Sequence, residues 1–268
     1  MQGFSVPRSP QGRTSLTPPP PWYYAGNLLL VDYAADPQAV AAVLPPGLTP
    51  DPRDPGGCTA FFVDWQYAST SGEELTDPVR SQYHEFLILV NAAYEGTAVQ
   101  TCPYIYVDRD TSMARGWIQG WPKKIGQVHT TRPSPLPSPA APQVGPGGLF
   151  AASLSSNGRR LAEATLTLEH VSTDPVFLGH RSVINVRHFP RLSAGQHDKP
   201  AVHELVRSRL SGVTRTDIWE GAATLSYHPA PDAELDALAP RQVRRGYRYS
   251  TAFQIDDLDV LADLTGYV

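Results

Sequence analysis

The chain of 268 residues is long enough for one large core or two small ones, and 26 acidic against 22 basic residues, with no basic run longer than two, argue against a phosphate-tracking nucleic-acid surface. No apolar run reaches the length of a membrane span, and the N-terminus lacks the basic start and continuous apolar stretch of a signal peptide, so the expected location is the cytoplasm. Cys58 and Cys102 are too few and too isolated for a disulfide framework or a thiolate metal site and read as core thiols.

Residues 1–21 carry Ser, Arg, Gln and Gly and end in the run Pro18 to Pro21, a composition read as a flexible N-terminal tail; residues 22–268 are then a single domain. Residues 36–45 predict a short helix, with Asp36 able to cap free amides, Pro37 in the first turn and Pro45 as the stop. Residues 60–65, 86–90 and 104–107 are short β-branched and aromatic runs that predict strands. The triplet Asp108-Arg109-Asp110 reads as a turn with local ion pairing. Residues 132–148 hold six prolines and three glycines, too many for a central strand, and read as a loop.

Asn157-Gly158 separates residues 149–156 from the alternating run 160–170 and predicts a hairpin, because both residues tolerate positive φ. Further strands are predicted over 183–189, 221–227 and 247–255, and helices over 200–210, ending near Gly212, and over 258–264. Many strands and few helices predict a mainly β (α+β) protein, a strongly curved antiparallel sheet or barrel with small peripheral helices. The histidines at positions 84, 129, 170, 180, 188, 197, 203 and 228 show no close metal-ligand spacing, so no metal is expected. Gly145-Pro146-Gly147-Gly148 lacks the lysine and hydroxyl of a nucleotide-binding loop, and Arg244-Arg245 reads as solvated surface.

The chemistry concentrates in Trp121-Pro122-Lys123-Lys124-Ile125-Gly126, where two lysines stand in a mostly apolar setting. An amine attacks a carbonyl only when unprotonated, and desolvation favours that state. A depression of ~3 pKa units would leave a large neutral fraction near neutrality. Pro122 pushes Trp121 toward extended backbone, so the segment enters a strand, where Lys123 and Lys124 must point to opposite sides and one of them at most can occupy a given pocket. The plainer alternative is a pair of solvent-facing strand lysines.

On that string, on Tyr83-His84-Glu85 and on Tyr106-Val107-Asp108, the chain from about Pro20 onward resembles the acetoacetate decarboxylase family. The resemblance implies a cone-like β-barrel, a homo-oligomer, no cofactor, and a Schiff base between the first lysine of the pair, Lys123, and a substrate ketone. Lys124 then has a supporting role and Glu85 handles a proton or orients the substrate. A depressed lysine pKa is an established property of these decarboxylases and is carried over with the resemblance. The chain departs from the decarboxylases at Gly26, where they carry arginine, at Phe62, where they carry glutamate, and in the run Arg115-Gly116-Trp117-Ile118-Gln119, where they carry an Arg-Glu pair.

These departures favour a relative of the pyruvate aldolase-dehydratases, a lyase joining a keto acid to an aldehyde, with Gln119 on a pocket-lining strand contacting the keto acid. Tyr83, two residues from Glu85 on one strand face, and Tyr249, on a late strand, are the candidate acid-base partners, with ordinary packing the competing account of both. Decarboxylation of a β-keto acid and a non-catalytic binding protein on the same fold are the alternatives. A buried Lys123 beside Glu85 speaks for the enzyme; an exposed Lys123, or a cavity filled by Trp121 and Phe62, speaks for binding alone.

Overall fold

The structure is a computed structural model and describes residues 1–173 and 181–267. The first 21 residues, read from composition as a flexible tail, fold back on themselves: Gln2 bridges Ser9, the Thr17 amide donates to Ser5 Oγ (2.9 Å), and Trp22 Nε1 donates to the Pro18 carbonyl (3.0 Å). Strand β1 (Trp22–Ala34) follows, then α1 (Pro37–Ala42), where Asp36 caps the Gln38 amide at 2.9 Å with proline in the first turn. Next come β2 (Thr49–Pro50), β3 (Gly57–Ala68), α2 (Pro78–Ser81), β4 (Gln82–Tyr94), β5 (Thr97–Val107) and α3 (Asp110–Ile118). The second half is β6 (Lys123–Ile125), β7 (Gln127–Thr130), β8 (Leu149–Ser156), β9 (Arg159–Val171), β10 (Ile184–Phe189), β11 (Val202–Arg215), β12 (Trp219–Tyr227) and β13 (Gln242–Asp263).

The predicted hairpin is present, with Asn157 at φ 50° and Gly158 at φ 75° between β8 and β9. Two predicted helices are strands instead. Residues 200–210 carry apolar residues at helical spacing, yet they form β11 because β13 runs alongside, from Glu204↔Asp263 to Arg215↔Thr251. That same pairing holds 258–264 extended in β13 as far as Asp263, so tertiary partners override local periodicity. The turn expected at residues 108–110 is divided: Asp108 receives the His84 backbone amide (2.8 Å), and Asp110 begins α3, a helix the sequence reading missed.

One sheet runs in the order β6-β5-β4-β3-β1-β13-β12-β9-β8-β7, with β2 alongside β4, and β10 reached through β11 from β13. It curves until its two end strands, β6 and β7, are separated in the chain by Gly126 alone. The strongly curved antiparallel sheet predicted from the sequence is present, and among the described residues no ladder joins its two end strands into a closed barrel. The seam is held by the Gly126 amide on the Val107 carbonyl (2.9 Å) and by Ser156 Oγ on the Ile125 carbonyl (2.8 Å). Strand alternation separates two faces. Phe62, Phe86, Ile88 and Val90 enter the main core, while Phe61, Val63, Trp65, Tyr83, Glu85 and Leu87 face the other way, toward an aromatic-rich cavity. Among the described residues no helix is long and apolar enough to cross a membrane.

Candidate active site

Helix α3 buries Ser112, Arg115 and Gly116, positions i, i+3 and i+4 on one face. It ends at Gln119, Gly120 turns the chain at φ 82°, and Trp121-Pro122 lead into β6, which pairs in parallel with β5 so that Lys123 stands beside Ile105. The Lys123 stem lies directly on Gly116: a Cβ at 116 would sit 2.3 Å from Lys123 Cδ and 2.7 Å from Cε. Any side chain at 116 would push the Lys123 stem out of this placement. Trp117 Nε1 donates to the Lys123 carbonyl at 2.8 Å and fixes the backbone from the other side.

Lys123 is 8% exposed. Its Nζ lies 2.7 Å from Glu85 Oε2, donates to Ser112 Oγ at 3.0 Å, and stands 5.4 Å from the centre of the Tyr83 ring. Burial lowers its pKa below the ordinary lysine value, Glu85 works against that shift, and the Arg115 guanidinium adds to it. Arg115 is itself buried, donating Nε to Tyr24 Oη at 2.9 Å with its guanidinium 3.7 Å from the centre of the Tyr67 ring. A cation held by aromatic faces stays charged and keeps a positive potential near the amine.

Glu85 Oε1 accepts from Trp65 Nε1 at 3.0 Å. That indole is the reason for Gly26, where a Cβ would meet Trp65 Cε3 at 2.3 Å, so no arginine fits in its place. Phe62 is fully buried in the main core against Phe86, ring centres 4.9 Å apart, and points away from the cavity, while Phe61 and Val63 face it. The glutamate equivalence drawn at Phe62 is therefore out of register with the cavity face.

Cross-strand rows explain which residues meet. Tyr249, Leu28, Val63 and Glu85 form one row across β13, β1, β3 and β4. On a flat sheet its ends would be ~14 Å apart, and the curvature turns both into the same cavity of about 830 Å³. Tyr83 and Gln119 line it as well. Burial pushes the Tyr249 phenol up to about 12 and the Tyr83 phenol well above its usual range, Glu85 adding to the latter. Both are hydrogen-bond donors at neutral pH.

Gln119 is not on a strand, as expected, but caps α3, with Nε2 donating to the Arg115 carbonyl (3.1 Å) and Oε1 accepting from Ser208 Oγ (3.3 Å). Lys124 is not brought to the cavity. It points to the opposite side of β6, where Nζ donates to the Asp232 carbonyl at 2.6 Å. Asp108 pairs with His84 (2.9 Å), and Arg244 and Arg245 pair with Asp54 (2.6 Å) and Glu169 (2.8 Å). Sequence reasoning missed Ser112, Arg115, Gly116 and Trp65; the first three carried a signal, a polar and small i, i+3, i+4 set just before the lysines. Among the described residues no group of three or more His, Cys, Asp or Glu could hold a metal; His180 lies outside them. The chain contains three lysines, Lys123, Lys124 and Lys199.

The family model for acetoacetate decarboxylase matches residues 5–264. The chain belongs to the acetoacetate decarboxylase family. Among solved structures it is similar to the enduracididine biosynthesis enzyme MppR, seen complexed with the condensation product of pyruvate and imidazole 4-carboxaldehyde: 37% identity, 98% of this chain and 97% of that one covered, TM-score 0.91. The same enzyme complexed with pyruvate matches at 37% identity over 98% of each chain, TM-score 0.90. An acetoacetate decarboxylase-like enzyme from Sphingomonas wittichii RW1 matches at 28% identity, covering 98% of this chain and all of that one, TM-score 0.89. No curated protein matches. Family membership and these neighbours place the chain among acetoacetate decarboxylase-like enzymes with a single curved, mostly β fold.

Proposed function

We propose that the protein is a Schiff-base lyase that condenses pyruvate with an aldehyde and removes water. The observation that carries the reading is the Lys123 amine, buried at the cavity wall 2.7 Å from Glu85. Glu85 takes the ammonium proton through that contact. The free amine attacks the pyruvate C2 carbonyl, and the resulting carbinolamine loses water to give a protonated imine. Loss of a C3 proton forms an enamine, C3 bonds to the aldehyde carbon, and the new hydroxyl leaves as water. Hydrolysis of the conjugated imine releases the product and restores the amine. The net change is pyruvate plus R-CHO to R-CH=CH-CO-COO⁻ plus water.

The phenols of Tyr83 and Tyr249 suit donation to the oxygens that become negative or leave, and Gln119 suits holding the keto acid. Lys124 supports the site from outside the cavity, tying β6 to the Asp232 carbonyl. The lack of room for arginine at Gly26 and the apolar Phe61 and Val63 on the cavity face of β3 support condensation over decarboxylation, and the pyruvate complexes of MppR support pyruvate as the keto acid. Borohydride trapping with pyruvate tests the proposal: the expected result is a reduced pyruvate adduct on Lys123 by mass spectrometry, with no carbon dioxide evolved from acetoacetate. Rapid release of carbon dioxide from acetoacetate, or the lack of any adduct, would overturn it.

A further inference from the structure

We infer that the aldehyde partner is a hydrophobic one, with an aromatic or branched aliphatic body, seated on an apolar wall beside Lys123; this rests on the reading above. Lys123 ends a second cross-strand row, Phe61↔Leu87↔Ile105↔Lys123, running over β3, β4, β5 and β6. All four side chains line the cavity. Adjacent strands lie ~4.8 Å apart, so three apolar residues extend ~14 Å from the amine with no polar group in the row. Leu89 continues the surface along β4, and Trp121 and Val183 pack against it.

The polar groups lie elsewhere. Glu85 and Tyr249 occupy the neighbouring row, Tyr83 the row beyond it, and Gln119 comes from the end of α3. An enamine on Lys123 would therefore have proton-handling groups to one side and an apolar shelf to the other. A cavity of about 830 Å³ is near the upper end of those that enclose drug-sized ligands, far beyond what pyruvate alone fills. Of the arginines lining it, Arg207 and Arg209 both contact Asp259, at 2.9 and 2.5 Å, and Arg181 contacts Asp51 at 2.5 Å, while Arg215 belongs to the row of Thr251, Trp65 and Tyr83, on the polar side and away from the shelf. Leu87, Leu89 and Ile105 are buried beneath the half-buried Phe61, Trp121 and Val183, so the apolar surface beside Lys123 is chiefly that of the latter three; a ligand with matching surface stabilises it, whereas a carboxylate laid there would lose its hydration without a partner.

The test uses the wild-type protein with saturating pyruvate and follows the conjugated product at several concentrations of benzaldehyde, 4-carboxybenzaldehyde and acetaldehyde. The expected kcat/KM for benzaldehyde exceeds that for each of the other two by at least about tenfold, the scale on which an apolar pocket discriminates. The variant Leu89→Asn is expected to raise the KM for benzaldehyde about tenfold. Equal values, or preference for the carboxylated or the two-carbon aldehyde, overturns the inference. So does failure of benzaldehyde to react with untreated enzyme when a separate portion of the same preparation gives the borohydride-reduced pyruvate adduct on Lys123. If pyruvate leaves no adduct, it is the parent reading that falls, so the two failures are distinguishable.

Discussion

At the scale of single residues, the fate of one amine is set by its neighbours. Burial lowers the Lys123 pKa and Glu85 raises it, so imine formation should increase with pH along a limb centred below the ordinary 10.5, because the neutral amine is the reactive form. Glu85→Gln removes the charge that supports the ammonium. The limb should therefore move further toward acid pH, while the maximal rate falls ~100-fold or more with loss of the proton acceptor. A stopped-flow pH profile of pyruvate adduct formation checks both, and a limb that moves alkaline contradicts the assignment of Glu85. Gly116→Ala separates placement from folding. Alanine is the better helix former by ~1 kcal/mol, so the fold tolerates it, but its methyl displaces the flexible Lys123 stem and should lower kcat about 100-fold with an unchanged Tm. The sequence pointed to Lys123 through the Pro-Lys-Lys string and to Glu85 through the family resemblance, and the strand period then added Tyr83. Trp65 stayed hidden because its link to Glu85 crosses two strands.

At the scale of elements, the hairpin at Asn157-Gly158 was legible because its signal is local: two residues at positive φ between alternating strands. Nothing lies within 4 Å of a Cβ added at Gly158, so Gly158→Ala should cost ~1 kcal/mol in urea unfolding through backbone strain alone. A loss several times larger would mean that the turn carries tertiary contacts. Residues 200–210 and 258–264 were misread for the opposite reason. Each has helical spacing, and each is strand because the other lies beside it across β11 and β13, with register shifts at three places. Such pairing is invisible to any single window of sequence. Helix α3 was missed because Gly116 and the polar Ser112 and Arg115 face inward, which inverts the apolar pattern by which amphipathic helices are recognised.

At the scale of the whole molecule, curvature was foreseen and the manner of closure was not. The ladder stops at β6 and β7, and Gly126 is where the ends meet, with Leu154 Cδ1 at 3.0 Å and Tyr106 Cδ1 at 3.1 Å from the position of an added Cβ. Gly126→Val should therefore destabilise by ~1–3 kcal/mol through overpacking, read from the shift in denaturation midpoint. An unchanged midpoint would show that the seam contributes nothing. The divergence of Lys123 and Lys124 across β6 has a practical consequence at the same scale. Replacing Lys124 and Lys199 by arginine would retain both positive charges and leave one ε-amine in the entire polypeptide, so the number of carbonyl groups captured on lysine per chain would become a direct titre of occupied catalytic centres, free of background from other lysines.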